Sequence, residues 1–214
     1  FRRVLFRSGG DWISPEAARH RDRGEEFDDR FGWMPAARLE RFRAGERPDA
    51  ARWITAAEDD ARRRDVKHGR EYHGDHWEVV TTAPLEAAGP LAAQLEQTRS
   101  VWRQVFGGFA WEPADLERRL AGRVRPVART PHAAILCRDR DQYLTELSPL
   151  EPRVKGTDGL YWMPTKTVWF HVARPGPDGS GADSGADPVT VHHEATHQLF
   201  AEARPELDRV RHLA

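Results

Sequence analysis

Along the first third of the chain the apolar residues stand alone. Trp12, Phe27, Phe31, Trp33, Phe42 and Trp53 are scattered between Asp11 and His76 among Arg, Asp, Glu and Ala. Such a pattern predicts short surface helices, one over Ala36 to Ala44 and another over Ala50 to Arg64 with Trp53, Ile54 and Ala57 at helical spacing. The register changes at Trp77-Glu78-Val79-Val80-Thr81-Thr82, a β-branched and aromatic run closed by Pro84, which reads as a strand. Leu85, Ala88, Leu91, Leu95, Trp102, Val105 and Phe106 then recur every three or four residues up to Gly107-Gly108, the signature of an amphipathic helix stopped by glycine.

A second short helix is predicted near Pro113 to Leu120, a buried strand over His132 to Cys137 and a brief helix over Asp141 to Leu147. Gly159 to Met163 and Thr167 to Val172 read as strands joined at Pro164-Thr165 into a hairpin. The stretch 174–188 is rich in Pro, Gly, Ser and Asp and reads as a flexible loop. Its Asp178, Asp183 and Asp187 follow no calcium-loop spacing and have no closing Glu. No internal repeat of fixed period is evident.

These elements predict an α+β fold with a mixed sheet. A domain over 77–214 is expected behind a charged, mostly helical appendage over 9–76. Phe1 to Ser8 matches a sequencing adapter translated in one frame, so it is set aside as an assembly scar, and the chain reads as cut at both ends. The 214 residues suit one domain with an appendage. The 33 basic and 34 acidic side chains nearly cancel, leaving no field to gather nucleic acid or an anionic membrane. No apolar run is long enough to span a bilayer. Cys137 is the single cysteine; it excludes an internal disulfide and, lying in an apolar run, reads as core packing. Compartment and oligomeric state leave no mark in the residues.

The chemistry concentrates in Val191-His192-His193-Glu194-Ala195-Thr196-His197-Gln198-Leu199-Phe200, which contains His-Glu-x-x-His. Asp187 as N-cap, Pro188 at the first position and Pro205 beyond the end write the limits of a helix over 188–204. At about 100° per residue, His193 and His197 lie about 40° apart, one turn above the other, so both imidazoles reach one cation. Zn²⁺ fits this donor pair. Glu194 sits at the edge of the same face, placed to take a proton from a water molecule instead of binding the ion. Val191, Ala195 and Leu199 form the opposite, core-facing stripe. The reading is a zinc metal site with His193 and His197 as ligands and Glu194 as catalytic base; the reaction is hydrolysis of an amide, the substrate a peptide or protein.

A catalytic zinc site needs a third protein donor. Glu202 points about 180° from His193 on the wheel and is ruled out. Glu206, Asp208 and His212 serve only if the chain turns back after Pro205. The stretch from Leu199 to Ala203 lacks the Gly and His of metzincins. His73 and His76, flanking Gly74-Asp75, read as a solvated turn, and His192 points away from the pair.

The string His-Glu-Ala-Thr-His-Gln-Leu-Phe-Ala-Glu, preceded by the strand Thr167 to Val172, resembles the gluzincin branch of zinc peptidases and an uncharacterised bacterial family of predicted peptidases. The resemblance covers about Trp77 to Arg204, with a weaker echo from Gly32-Trp33 to Ala57. It implies a zincin-like fold, His193 and His197 as ligands, Glu194 as base and a Glu from a later helix as third ligand, which the residues up to Ala214 do not supply. It also implies that Thr167 to Val172 is the sheet edge on which an extended substrate pairs; His171 is placed either toward the cleft or, as is commoner for a strand histidine, exposed or packed. Without the third ligand this stretch is expected to bind zinc weakly and turn over little. Two rivals stand beside the peptidase: a zinc hydrolase of non-peptide amides or esters, and a non-enzymatic scaffold that keeps the helix and its metal.

Overall fold

The computed structural model describes residues 6–8, 11–110, 117–118, 120–122, 130–173 and 186–203. Its first half is built from one recurring unit, a tight β-hairpin running straight into a helix. The units are β1 (Phe6–Ser8), β2 (Asp11–Ile13) and α1 (Pro15–Asp22); β3 (Glu25–Asp28), β4 (Gly32–Pro35) and α2 (Ala36–Arg43); and β5 (Glu46–Asp49), β6 (Arg52–Thr55) and α3 (Ala56–Arg62). A fourth hairpin, β7 (Arg70–His73) with β8 (Trp77–Thr81), leads through a 3₁₀ turn into the long helix α4 (Ala88–Phe106). Then follow β9 (His132–Cys137), α5 (Arg140–Leu147), β10 (Gly159–Trp162), β11 (Thr167–His171) and α6 (Pro188–Ala203).

This recurrence corrects the expectation of no repeat. Trp12-Ile13-Ser14-Pro15, Trp33-Met34-Pro35-Ala36 and Trp53-Ile54-Thr55-Ala56 occupy equivalent strand-to-helix junctions about every twenty residues. It also corrects the mostly helical reading of 9–76. Trp53 and Ile54 lie in β6, and the helix begins only after Thr55, whose side chain and that of Glu58 form a reciprocal capping box. Phe6–Ser8, set aside in the sequence, pairs with Asp11–Ile13.

Seven strands join in one mixed sheet, in the order β10-β11-β9-β8-β7-β4-β3. β9 runs parallel to both neighbours, β8 and β11, while the hairpins β10-β11, β7-β8 and β3-β4 are antiparallel. The expected start of the domain at Trp77 falls between the paired strands β7 and β8. β4 meets β7 at Gly32 opposite His73, where a Cβ would stand 2.6 Å from the His73 carbonyl oxygen and φ is +76°, so only glycine fits. The fold is therefore α+β, as expected.

The expected strands over 77–82 and 132–137, the helix up to Phe106, the helix after Asp139 and the hairpin before the motif are all present. That hairpin turns through Met163–Thr165 and Lys166 in the left-handed region. The helix expected near Pro113 to Leu120 and the loop over 174–188 lie largely outside the described residues.

The larger core fills the space between one face of the sheet and the helices α4 and α6, with Trp77, Val79, Leu91, Leu95, Leu136, Val168, Phe170 and Val191 almost wholly buried. At roughly 1.5–3 kcal/mol per large apolar side chain, this layer dominates the stability of the fold. A smaller cluster of Cys137, Tyr143, Leu147 and Val154 lies on the other face under α5. Burial pushes the Cys137 thiol up to about 12, which leaves it a packing group and no nucleophile at neutral pH. No helix among the described residues is long and apolar enough to cross a membrane.

Candidate functional site

α6 carries the site, and its sequence explains its placement. The Asp187 carboxylate accepts the Thr190 N–H at 2.8 Å and so caps the helix start, with Pro188 as first helical residue. Val191, Ala195 and Leu199 are buried against the sheet and α4, as their spacing requires. Phe200 adds edge-on contacts to Trp102 and Phe106 of α4.

The opposite face of α6 is wet. His193 and His197 are exposed there, with ring centroids 4.7 Å apart and Nε2 atoms 3.1 Å apart. Two nitrogens at about 2.05 Å from one tetrahedral zinc would stand about 3.3 Å apart, so the pair fits as two of its protein donors with only a small adjustment. Glu194 is far less exposed than His193, 14% against 66% for the side chains. Its Oε2 accepts the backbone N–H of Tyr161 at 2.7 Å, and its Oε1 stands 3.8 Å from His193 Nε2. The carboxylate is thus held beside the imidazoles and tied to β10.

Among the described residues β10 is the end strand of the sheet, and its Tyr161 N–H faces α6 and not β11. This corrects the expected edge: Thr167–His171 is paired on both sides, by β10 and by β9, and has no open side for a substrate. His171 is likewise displaced from the cleft. Strand alternation turns Val168 and Phe170 toward α6 and His171 toward α5, where its buried ring lies 5.4 Å from that of Tyr143. A cleft of about 310 Å³ opens where Gly156–Gly159 meets Val189, Thr190, His193 and Glu194.

The remaining candidates are placed as follows. Glu202 pairs with His132 at 2.7 Å, away from the exposed imidazoles. His192 Nδ1 lies 2.7 Å from Thr98 Oγ1 on α4. His76 is bound through both its backbone N–H and its ring to Glu96, so it latches the β7-β8 turn to α4 and is not simply solvated. His73 lies with Glu71 and Glu78 on the strand surface, where the three ligand atoms stand within 4.8 Å of one another. Glu206, Asp208 and His212 lie outside the described residues. Among the described residues no third donor joins His193 and His197.

No family model, curated protein or solved structure matches this chain. The functional reading therefore rests on the residues and their geometry.

The structure also reveals a group that the sequence reading passed over. Gln198 is wholly buried: its Nε2 donates to the carbonyl oxygens of Ala133 at 3.1 Å and Lys166 at 2.9 Å, and its Oε1 accepts Trp77 Nε1 at 3.2 Å. A signal existed. Seven residues after Val191, Gln198 falls within about 20° of it on the wheel, a polar side chain inside the apolar stripe, and such groups are buried only with hydrogen-bond partners.

Proposed function

We propose that this chain is the sheet and active helix of a zincin-like, zinc-dependent peptidase of the gluzincin type. One observation carries the reading: two imidazole Nε2 atoms meet at 3.1 Å on the exposed face of α6 while the intervening carboxylate turns aside to the edge strand. A chance His-Glu-x-x-His on a solvated helix has no reason to set its Glu apart in this way.

His193 and His197, as neutral imidazoles, would hold the ion. A zinc ion there supplies Lewis acidity, bringing the pKa of a water molecule to about 7 and polarising a carbonyl. Glu194 takes the proton from the attacking water and returns it to the leaving amine. Its tie to Tyr161 N–H keeps the carboxylate facing the cleft and off the metal. The scissile bond of a peptide would lie in the cleft beside Gly159, His193 and Glu194; the choice of a peptide over a small amide follows the resemblance to gluzincins. The third donor has to come from outside the described residues.

Glu194→Gln, which keeps an acceptor for Tyr161 N–H, tests the reading. Cleavage of a quenched fluorescent peptide by the zinc-loaded chain should fall by about 10²–10⁴-fold with zinc binding retained. Unchanged turnover in the variant, or no zinc held by the wild type, refutes the assignment.

A further inference from the structure

We infer that Gln198 is the positioning residue that sets Glu194 against the edge strand; the inference rests on the reading of Glu194 as base. α6 touches the sheet mainly through Val191, Ala195 and Leu199, and apolar contacts of this kind are non-directional, allowing a helix to slide or roll with little penalty. The base needs more than that. Its carboxylate has to meet one N–H on β10, and a shift of about 1 Å would break that bond.

Glu202 ties the far end of α6 to His132 of β9 and His192 ties its outer side to Thr98 of α4, but Gln198 is the buried tie nearest the base. One turn beyond Glu194, its amide is fixed to three separate places: the indole of Trp77 on β8, the Ala133 carbonyl on β9 and the Lys166 carbonyl just before β11. Trp77 can only donate, which forces the amide oxygen toward it and both amide hydrogens toward the two carbonyls. An amide meets this set of partners, whereas a carboxylate lacks the donors and a thioether has neither function. Three points on three segments define both the height and the roll of α6. Glu194, one turn before this clamp, and His197, the residue next to it, inherit their places from it. The histidine pair sits on one helix, so its internal spacing does not depend on the clamp; only its relation to β10 does.

Amide hydrogen exchange of Tyr161 reads this relation without metal or turnover, since the Glu194 carboxylate accepts that N–H on the outer side of the sheet. In Gln198→Met the Tyr161 amide should exchange at least tenfold faster, while Leu136 and Val168 amides in the sheet centre slow or speed only with global stability. Val191→Ala is the control: it destabilises the same helix by deleting buried methyl groups but leaves the clamp, so Tyr161 should follow the global change and nothing more. Peptide cleavage in Gln198→Met should show a lowered kcat with zinc affinity within about twofold of wild type. Unaltered Tyr161 protection in Gln198→Met relative to the sheet centre, or an equal loss in Val191→Ala at matched stability, overturns the inference. Wild-type chain that protects Tyr161 through Gln198 but holds no zinc would refute the peptidase reading and leave the clamp standing.

Discussion

At Gly159 the edge strand passes tightly against the first turn of the active helix. A Cβ there would stand 2.6 Å from Thr190 Cγ2 and 3.0 and 3.1 Å from two carbons of the Phe170 ring. Ordinary carbon contacts lie at about 3.5–4.0 Å, so Gly159→Ala has to push the Thr190 methyl away by about 1 Å. Thr190 is poorly placed to yield, because its Oγ1 donates to the capping carboxylate of Asp187 at 2.8 Å. The first turn of α6 must therefore move with it. Overpacking of this sort costs about 1–3 kcal/mol, and the loss of glycine's freedom in the unfolded chain returns about 0.4–1 kcal/mol. The net expectation is a loss of about 1–2 kcal/mol, or a fall in Tm of roughly 3–6 °C for a chain of this size.

Thr190→Ser removes Cγ2 and keeps Oγ1 for Asp187, so the double variant should recover about 1 kcal/mol beyond additivity, leaving only the tight Phe170 contact. Urea unfolding of all four proteins, followed by tryptophan fluorescence, measures the cycle. Gly159→Ala as stable as wild type, or strictly additive effects, would refute the close packing of α6 on β10.

Two more expectations follow from charge and burial. Cys137, wholly buried with its thiol pushed up to about 12, should resist a thiol reagent at pH 8 in the native chain and react fully in denaturant; rapid native labelling would contradict its place in the core. Although burial pulls the Asp28 carboxyl up, the Arg30 N–H and the Arg43 guanidinium outweigh it and hold Asp28 below its usual range. A depressed folded pKa adds stability above the unfolded value near 3.9 that is lost as pH falls through the folded one. Asp28→Asn should thus be less stable than wild type at pH 7, with the deficit shrinking as pH falls below about 3.9 in urea titrations; a deficit that does not shrink as the pH falls would contradict the pairing.

How much of this the residues disclosed depended on how strongly each element is patterned. α4 and β9 were readable because nineteen and six residues of consistent period outweigh any local ambiguity. The start of α6 was readable, since Asp187 and Pro188 mark it. The hairpins of the first half were not: β5 is Glu-Arg-Pro-Asp, and four such residues carry no strand signal until the partner strand and the turn at Ala50, with φ of 51°, hold them extended. The repeat was hidden for the same reason, its regular marks being sparse: a Trp before each of the first three helices and a Gly-Glu pair opening the second and third units. The order of strands was also beyond the pattern. β10 and β11 were both legible, but which of them lies outermost depends on the distant pairing of β11 with β9. In the site, His193, Glu194 and His197 were visible through spacing alone; Tyr161 acts through its backbone and leaves no trace in residue type. Gln198 showed as a polar break in an apolar stripe.

Zinc content measured directly bears hardest on the two imidazoles. In equilibrium dialysis against Zn²⁺ at tens of micromolar, atomic emission should find about one zinc more per wild-type chain than in the His193→Ala, His197→Ala double variant, with circular dichroism unchanged. Equal zinc in both proteins, or none in the wild type, would contradict a metal site on α6.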